Sequence, residues 1–197
     1  PFDFRIYQLL GAGHRERGNP DASETAFRTS LDYHPNNGHL ALAALLLDKS
    51  RYAESSAAYR KELALFPDNI PALWGLARAS AAVSDWQTVR QLCEHILKLD
   101  DDRVDSLELL VEAQDNLGTP SSARQSYELL IKGMPPSAQM YARYATLLSK
   151  EGRTQDALHA HQKASELEPG NPKNHNNVGV LLAQLDRYPE SVSAFEK

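Results

Sequence analysis

Apolar side chains of two sizes alternate along this chain at the spacing of an amphipathic helix. In the segment 4–37 a large residue, Leu10, is followed at once by a small one, Gly11; Ser23 and Phe27 follow on a second stretch. Residues three or four positions apart lie on one face of a helix. The pattern therefore predicts two consecutive helices whose facing sides carry both bulky and small residues.

The pattern returns about every 34 residues. Prolines in "LDYHPNN", "LALFPDN", "IKGMPPS" and "LELEPGN" mark the period at Pro35, Pro67, Pro135 and Pro169, with Asp101 between the second and third. Such regularity indicates an internal repeat. The predicted units are 4–37, 36–69 with a compressed boundary, 70–103, 104–137, 138–171 and an incomplete 172–197.

Equivalent places in the units share size rather than identity. The seventh place reads Leu10, Leu42, Leu76, Leu110, Tyr144 and Val178. The eighth place reads Gly11, Ala43, Ala77, Val111, Ala145 and Gly179. A later small place reads Ser23, Ser55, Val89, Ala123, Ala157 and Ser191, and the place four residues beyond it reads Phe27, Tyr59, Cys93, Tyr127, His161 and Phe195.

This arrangement resembles the tetratricopeptide repeat family, and the resemblance covers nearly the whole chain. It implies an all-α fold, a right-handed α-solenoid superhelix of about six helix-turn-helix repeats. We expect residues 1–197 to form a single domain of this kind, taken from a longer protein. Glu62 falls where the family has a small apolar residue, which leaves open a shift of the alignment by one residue there.

Small residues explain how the two helices of a unit meet. A small side chain at the eighth place lets the helix axes approach, so we expect Gly11 to be a close-contact site with Leu10 and Phe27 filling the space beside it. Gly18, together with Gly118 and Gly152, falls where a first helix ends and a left-handed backbone is favoured. Each pair leaves an apolar flank for the next pair to cover.

The second unit is two residues shorter than the others. We place this shortening in the connection near Asn36 and Gly38, because a deletion inside a helix would rotate its apolar face by about 200 degrees.

The glycines of "LLGAGHRERGNP" do not form a phosphate-binding loop. A dinucleotide fingerprint needs a third glycine where Glu16 stands, and a Walker loop needs Lys and Ser or Thr where Asn19 and Pro20 follow Gly18. We therefore interpret these glycines as packing and turn residues.

Composition narrows the function classes. The chain has 197 residues with 42% hydrophobic and 24% charged residues, which is ordinary for a globular protein. A net charge of -5 argues against a general nucleic-acid binder. No apolar run is long enough to span a membrane, and the N-terminal segment lacks the pattern of a secretory signal. The compartment stays open between the cytoplasm, which we favour, and the periplasm.

Candidate chemistry is sparse. Cys93 is the single cysteine, which excludes an internal disulfide, and we expect it to be a buried packing residue. No two of the seven histidines have the three- or four-residue helical spacing of a metal-binding pair. Known catalytic motifs are also missing. We therefore predict a non-catalytic protein that holds no cofactor and no metal.

Function must then come from the surface. The resemblance implies that first helices line a concave groove, where the eight candidate residues are Trp74, Arg78, Asp105, Glu108, Glu112, Asp115, Arg143 and Asn176. Four of these residues are carboxylates, and their spacings of three, four and three place them in one stripe along one helix. They are Asp105, Glu108, Glu112 and Asp115.

Two interpretations of the stripe stay open. It is either a solvated face balanced by internal cations such as Arg78, Arg143 or Lys150, or a receptor for Lys and Arg side chains of a partner. Trp74 is either an exposed interface anchor or a residue packed against the neighbouring helix. The ninth place contains no Asn in any unit, so the family's clamp for acidic chaperone tails is not expected.

The leading hypothesis is a scaffold that binds a protein or peptide with basic and apolar residues, without nucleic acid or membrane. The alternative is the substrate-recruiting part of a larger transferase, because arrays resembling "HNNVGVLLAQLDRYPESVSAFEK" often precede transferase domains. A third hypothesis is a homodimer formed through the uncapped ends.

Overall fold

The computed structural model describes residues 3–36, 38–133 and 137–197. This part of the chain contains twelve α-helices and no β-strand. In chain order they are α1 (Phe4–Glu16), α2 (Pro20–Tyr33), α3 (His39–Asp48), α4 (Tyr52–Leu65), α5 (Ile70–Ala82), α6 (Trp86–Leu99), α7 (Val104–Leu117), α8 (Pro120–Gly133), α9 (Ala138–Lys150), α10 (Thr154–Leu167), α11 (Pro172–Gln184) and α12 (Tyr188–Phe195). The predicted all-α fold of helix-turn-helix repeats is confirmed.

In two of the helix pairs, the second helix packs against a glycine of the first. A Cβ atom added to Gly11 would lie 2.5 Å from the Phe27 ring, and one added to Gly179 would lie 2.6 Å from the Phe195 ring. No real side chain tolerates such distances, so only glycine allows the aromatic ring of the second helix to rest on the first. The predicted close contact at Gly11 is confirmed.

Buried serine hydroxyls form hydrogen bonds between the two helices of a pair. Ser23 Oγ donates to the carbonyl oxygen of Gly11 at 2.7 Å, and Ser191 Oγ donates to that of Gly179 at 2.8 Å. Ser55 Oγ makes the equivalent bond to Ala43 at 2.8 Å. These serines are buried, so each bond satisfies a hydroxyl that would otherwise be costly to desolvate.

The chain divides into two compact units, unit 1 (Pro1–Ala113) and unit 2 (Gln114–Lys197). In unit 1, Leu42 packs in one cluster with Phe27 of the preceding helix pair, and Leu76 packs with Tyr59 of the pair before it. In unit 2, the buried cluster comprises Ala145, Leu148, Ala157, Leu158, Ala160, Val178, Leu181, Leu182 and Ala194. Successive pairs therefore cover one another's apolar flanks.

Two expectations for the first repeats need correction. Leu10 is 47% exposed and does not fill the space beside Phe27; Leu42 and Leu76 are buried by the preceding helix pair, and none precedes α1 in the structure. The shortening is not taken from the connection, which spans residues 34–38. Helix α3 has 10 residues where α1 has 13, so its first turn is lost, which leaves the remaining face unrotated.

Interior places hold less common residues as well. Cys93 is fully buried, as expected, and burial raises the pKa of its thiol to about 12. Glu62 is 7% exposed and so occupies the interior place to which the alignment assigns it. Pro135, which marks one period of the repeat, lies outside the described residues.

Left-handed turns separate the two helices of each pair. Gly18, Gly118 and Gly152 have φ angles of +73, +65 and +75 degrees, which confirms the prediction for these positions. The equivalent turn residues of the other pairs are Ser50, Ser84 and Asp186, with φ angles of +57, +58 and +59 degrees.

We predict that Gly152→Ala lowers the free energy of unfolding by about 1 kcal/mol, because an L-residue is strained in this conformation. The added methyl group would meet no atom within 4 Å, so the cost comes from the backbone. Urea denaturation followed by circular dichroism measures it. Gly170→Ala is the control, since that position also has open space but no positive φ angle; equal effects at both positions would contradict the prediction.

Candidate functional site

The acidic residues predicted as a stripe all belong to α7. Asp105 lies in its first turn, where a carboxylate is stabilised by the positive end of the helix dipole. Glu108, Glu112 and Asp115 follow at the spacing that keeps them along one side of the helix. Because α7 runs across the division between the two compact units, its two ends have different surroundings and are described separately.

In unit 1, Arg103 connects two of the candidate residues. Its guanidinium donates to both carboxylate oxygens of Asp105, at 2.9 and 3.1 Å. The Arg103 Cζ atom also lies 5.9 Å from the centroid of the Trp74 ring, within range of a cation–π interaction. Trp74 is half-buried and its ring is thus partly covered by a residue of the same unit.

The middle of the stripe is more open. Glu108 is exposed, and within the described part of the chain it forms no hydrogen bond or ion pair. Glu112, one turn further on, is half-buried and has a partner. Arg78 lies exposed on α5. The stripe therefore presents one carboxylate, Glu108, that no cation of the described residues neutralises.

In unit 2, Asp115 has a structural role. Its carboxylate accepts a hydrogen bond from the Tyr127 hydroxyl at 2.8 Å and one from Arg143 Nη2 at 3.4 Å. Burial, with the Asp115 carboxylate as the second cause, raises the pKa of Tyr127. Arg143 was one of the cations expected to balance the stripe, and it does so at this end.

Asp115 and Arg143 also line a pocket of about 460 Å³ within unit 2, together with Gln114, Thr146, Lys150 and Glu151. Two cations and two carboxylates meet there, so the pocket has no net charge. Asn176 lies exposed on α11 and makes no hydrogen bond to Asp115 or Arg143. The structure thus brings together Trp74 and Asp105 through Arg103, and Asp115 with Arg143.

A charge cluster in unit 1 was not predicted from the sequence. The partly buried Glu24 accepts hydrogen bonds from Lys49 at 2.8 Å, from Arg28 at 2.9 Å and from Arg51 at 2.7 Å. The Lys49 ammonium, aided by the two guanidinium groups, lowers the pKa of Glu24 to about 2. This cluster ties α2 to the turn between α3 and α4, so we interpret it as structural.

Among the described residues, the structure shows neither a metal-binding group nor a reactive thiol. No group of three or more His, Cys, Asp or Glu residues able to hold a metal ion lies in the described part of the chain. The raised pKa keeps Cys93 protonated at neutral pH, which removes its nucleophilic form. Among the described helices, none has the length and apolar character needed to cross a membrane.

Comparison with known proteins agrees with this architecture. Residues 9–70 match a family model described as tetratricopeptide repeat. MamA from AMB-1 has a TM-score of 0.77 at 20% identity, over 85% of this chain and 93% of that chain. A tetratricopeptide repeat protein from Parabacteroides merdae has a TM-score of 0.75 at 12% identity, over 98% and 78%.

The chain therefore has the tetratricopeptide repeat fold, and its residues 9–70 match the family model. A further structure with this repeat fold is that of YrrB, a TPR protein with an unusual peptide-binding site. Its TM-score is 0.74 at 18% identity, over 86% of this chain and 88% of that chain. Tetratricopeptide repeats, such as those matched at residues 9–70, indicate a scaffold for protein–protein interaction.

One curated relative is a much larger protein. Over 68 residues, this chain is 37% identical to the probable biofilm formation methyltransferase WspC of Pseudomonas putida. The match covers 34% of this chain and 16% of that protein. The chain therefore corresponds to a small part of the relative's length.

Proposed function

We propose that unit 1 binds a polypeptide segment containing basic and apolar residues on the surface formed by α5 and α7. The observation that carries this proposal is the exposed Glu108, which lacks a neutralising cation among the described residues. Trp74 on α5 offers part of an aromatic face. Asp105 contributes less, because Arg103 already pairs with it.

Charge complementarity sets the expected ligand. A Lys or Arg side chain placed against Glu108 would remove an uncompensated negative charge, and neighbouring apolar side chains of the ligand would contact Trp74. YrrB, which shares the repeat fold, is described as having a peptide-binding site, and this supports a peptide as the class of ligand.

We predict that peptides selected from a random displayed library against this protein are enriched in Lys or Arg beside apolar residues. Glu108→Lys should weaken a selected peptide by more than about 1 kcal/mol, roughly fivefold in Kd, as measured by fluorescence anisotropy. Glu196→Lys is the control, because it changes the net charge equally at an exposed position of unit 2. Selection of acidic peptides, or equal binding by both variants, would refute the proposal.

A second candidate function is recruitment of substrate to a larger enzyme. The supporting observation is the 37% identity to a segment of a protein described as a methyltransferase. In this role the repeats bind the protein that is to be modified and leave the chemistry to another domain.

This role is tested on a protein that carries these repeats and a methyltransferase domain in one polypeptide. Removal of residues 1–197 should abolish methyl transfer to the intact protein substrate and leave methyl transfer to a short peptide acceptor that carries the modified side chain unchanged, as measured with radiolabelled methyl donor. Loss of both activities, or of neither, would count against recruitment.

Self-association through the ends is our third proposal. Ile6, Leu9 and Leu10 of α1 are exposed apolar residues, as are Tyr188, Val192 and Phe195 of α12. Apolar faces of this kind are candidates for contact with a second copy. Light scattering should give a mass above 21.9 kDa that rises with concentration and returns to the monomer value for Leu9→Asp; a monomer at all concentrations would exclude this contact.

A further inference from the structure

We infer that unit 1 contains a separate pocket for a cationic side chain, Lys or Arg, which enters between α1 and α3 and ends at the carboxylate of Glu62. The pocket measures about 780 Å³ and is lined by Ala12, Arg15 and Glu16 of α1, Leu40 and Ala44 of α3, and Glu62 of α4, among others. The proposed peptide surface on α5 and α7 uses different residues.

Glu62 is an incompletely satisfied buried carboxylate. Its Oε1 atom accepts a hydrogen bond from Asn69 Nδ2 at 3.2 Å, whereas no donor within the described residues reaches Oε2. Oε2 is not a fully buried atom, and Glu62 lines the pocket, so we infer that this oxygen faces the pocket. A buried carboxylate with one neutral donor is costly unless a cation or further donors are supplied.

The remaining charges of the pocket favour a cation. Arg15 forms an ion pair with Asp48, which cancels its positive charge. Glu16 and Glu62 then leave the pocket with net negative charge. An anionic ligand would meet repulsion here, whereas an ammonium or guanidinium group gains a charge-assisted hydrogen bond at Glu62.

The walls favour a long side chain over a metal ion. Ala12, Leu40 and Ala44 are apolar residues of the pocket lining, and such a lining suits the methylene stem of Lys or Arg. A metal ion would need several oxygen or nitrogen ligands, and no suitable group of three lies in the described part of the chain. The occupant that fits both wall and carboxylate is therefore a basic side chain of a polypeptide.

This inference rests on the proposed scaffold function, because a bound polypeptide supplies the basic side chain. It is testable without that polypeptide, by titrating the isotopically labelled protein with Nα-acetyl-lysine methylamide at constant ionic strength. We expect saturable shifts of the Gly38, Ala41 and Ala44 amide signals with a Kd on the order of millimolar. The norleucine analogue, which keeps the stem and lacks the ammonium group, should bind at least tenfold more weakly.

Substitution identifies the carboxylate that is responsible. Glu62→Gln keeps an oxygen that can accept from Asn69 and should weaken the lysine probe at least fivefold. Glu190→Gln, which neutralises an exposed carboxylate in unit 2, is the matched control and should leave binding unchanged. Ala44→Leu, which fills part of the pocket with a larger side chain and leaves residue 62 a glutamate, provides a second test and should also weaken binding of the probe.

Equal shifts with the lysine and norleucine probes, or unchanged lysine binding by Glu62→Gln and Ala44→Leu, would overturn the inference. The outcome is separable from that of the α5–α7 proposal. Glu108→Lys should leave the lysine probe unaffected at this pocket, and Glu62→Gln should leave unchanged the Glu108 dependence of the selected peptide.

Discussion

The approach of two helices over a glycine or another small residue is the contact on which the whole repeat depends. Where Phe27 lies on Gly11, and Phe195 on Gly179, the ring occupies the volume that any Cβ atom would need. Serine hydroxyls bonded to the same glycine carbonyls fix the position of the second helix along the first. Interiors are too closely packed to absorb a larger residue at such a place.

This constraint also determines which residues remain for binding. In each helix pair, the faces that carry the large and small apolar residues are buried by packing. Binding of a partner must therefore use the polar faces. Even there, many charges serve the fold: Glu24 binds three cations, and Asp115 supports Tyr127 and Arg143. Glu108 and Glu62 differ because their carboxylates retain unused acceptor capacity, which is why both of our binding proposals centre on them.

The fold was predictable from the sequence because its determinants recur six times. One poor match to the repeat pattern, such as Cys93 at a place that usually holds an aromatic residue, says little about the fold. The same alternation of large and small residues in every repeat is strong evidence for it. The left-handed turns at Gly18, Gly118 and Gly152 were predictable for the same reason. Ser50, Ser84 and Asp186 adopt the same conformation without a glycine to signal it.

The surface was less predictable, because pairing of charges depends on side-chain reach rather than on period. Arg103 lies in the connection before α7, outside the helical positions at which the repeats resemble one another. It nevertheless contacts both Trp74 and Asp105. The spacing predicted that the four carboxylates share one helix, and all four lie on α7. It could not reveal that the carboxylates at the two ends, Asp105 and Asp115, are already paired with arginines. The lost first turn of α3 likewise follows from local backbone geometry at Gly38, where φ is +106 degrees.

His161 gives one repeat a chemical property that the others lack. It fills the place that holds Phe or Tyr in four of the other units, is 3% exposed, and its Nδ1 atom has no hydrogen-bond partner in the described part of the chain. Burial lowers its pKa, so as acidity rises below pH 6.5 the unfolded chain takes up a proton before the folded one does. The contribution of His161 to the stability of the fold is therefore lost as the pH falls, whereas a phenylalanine at this place would introduce no such dependence on pH.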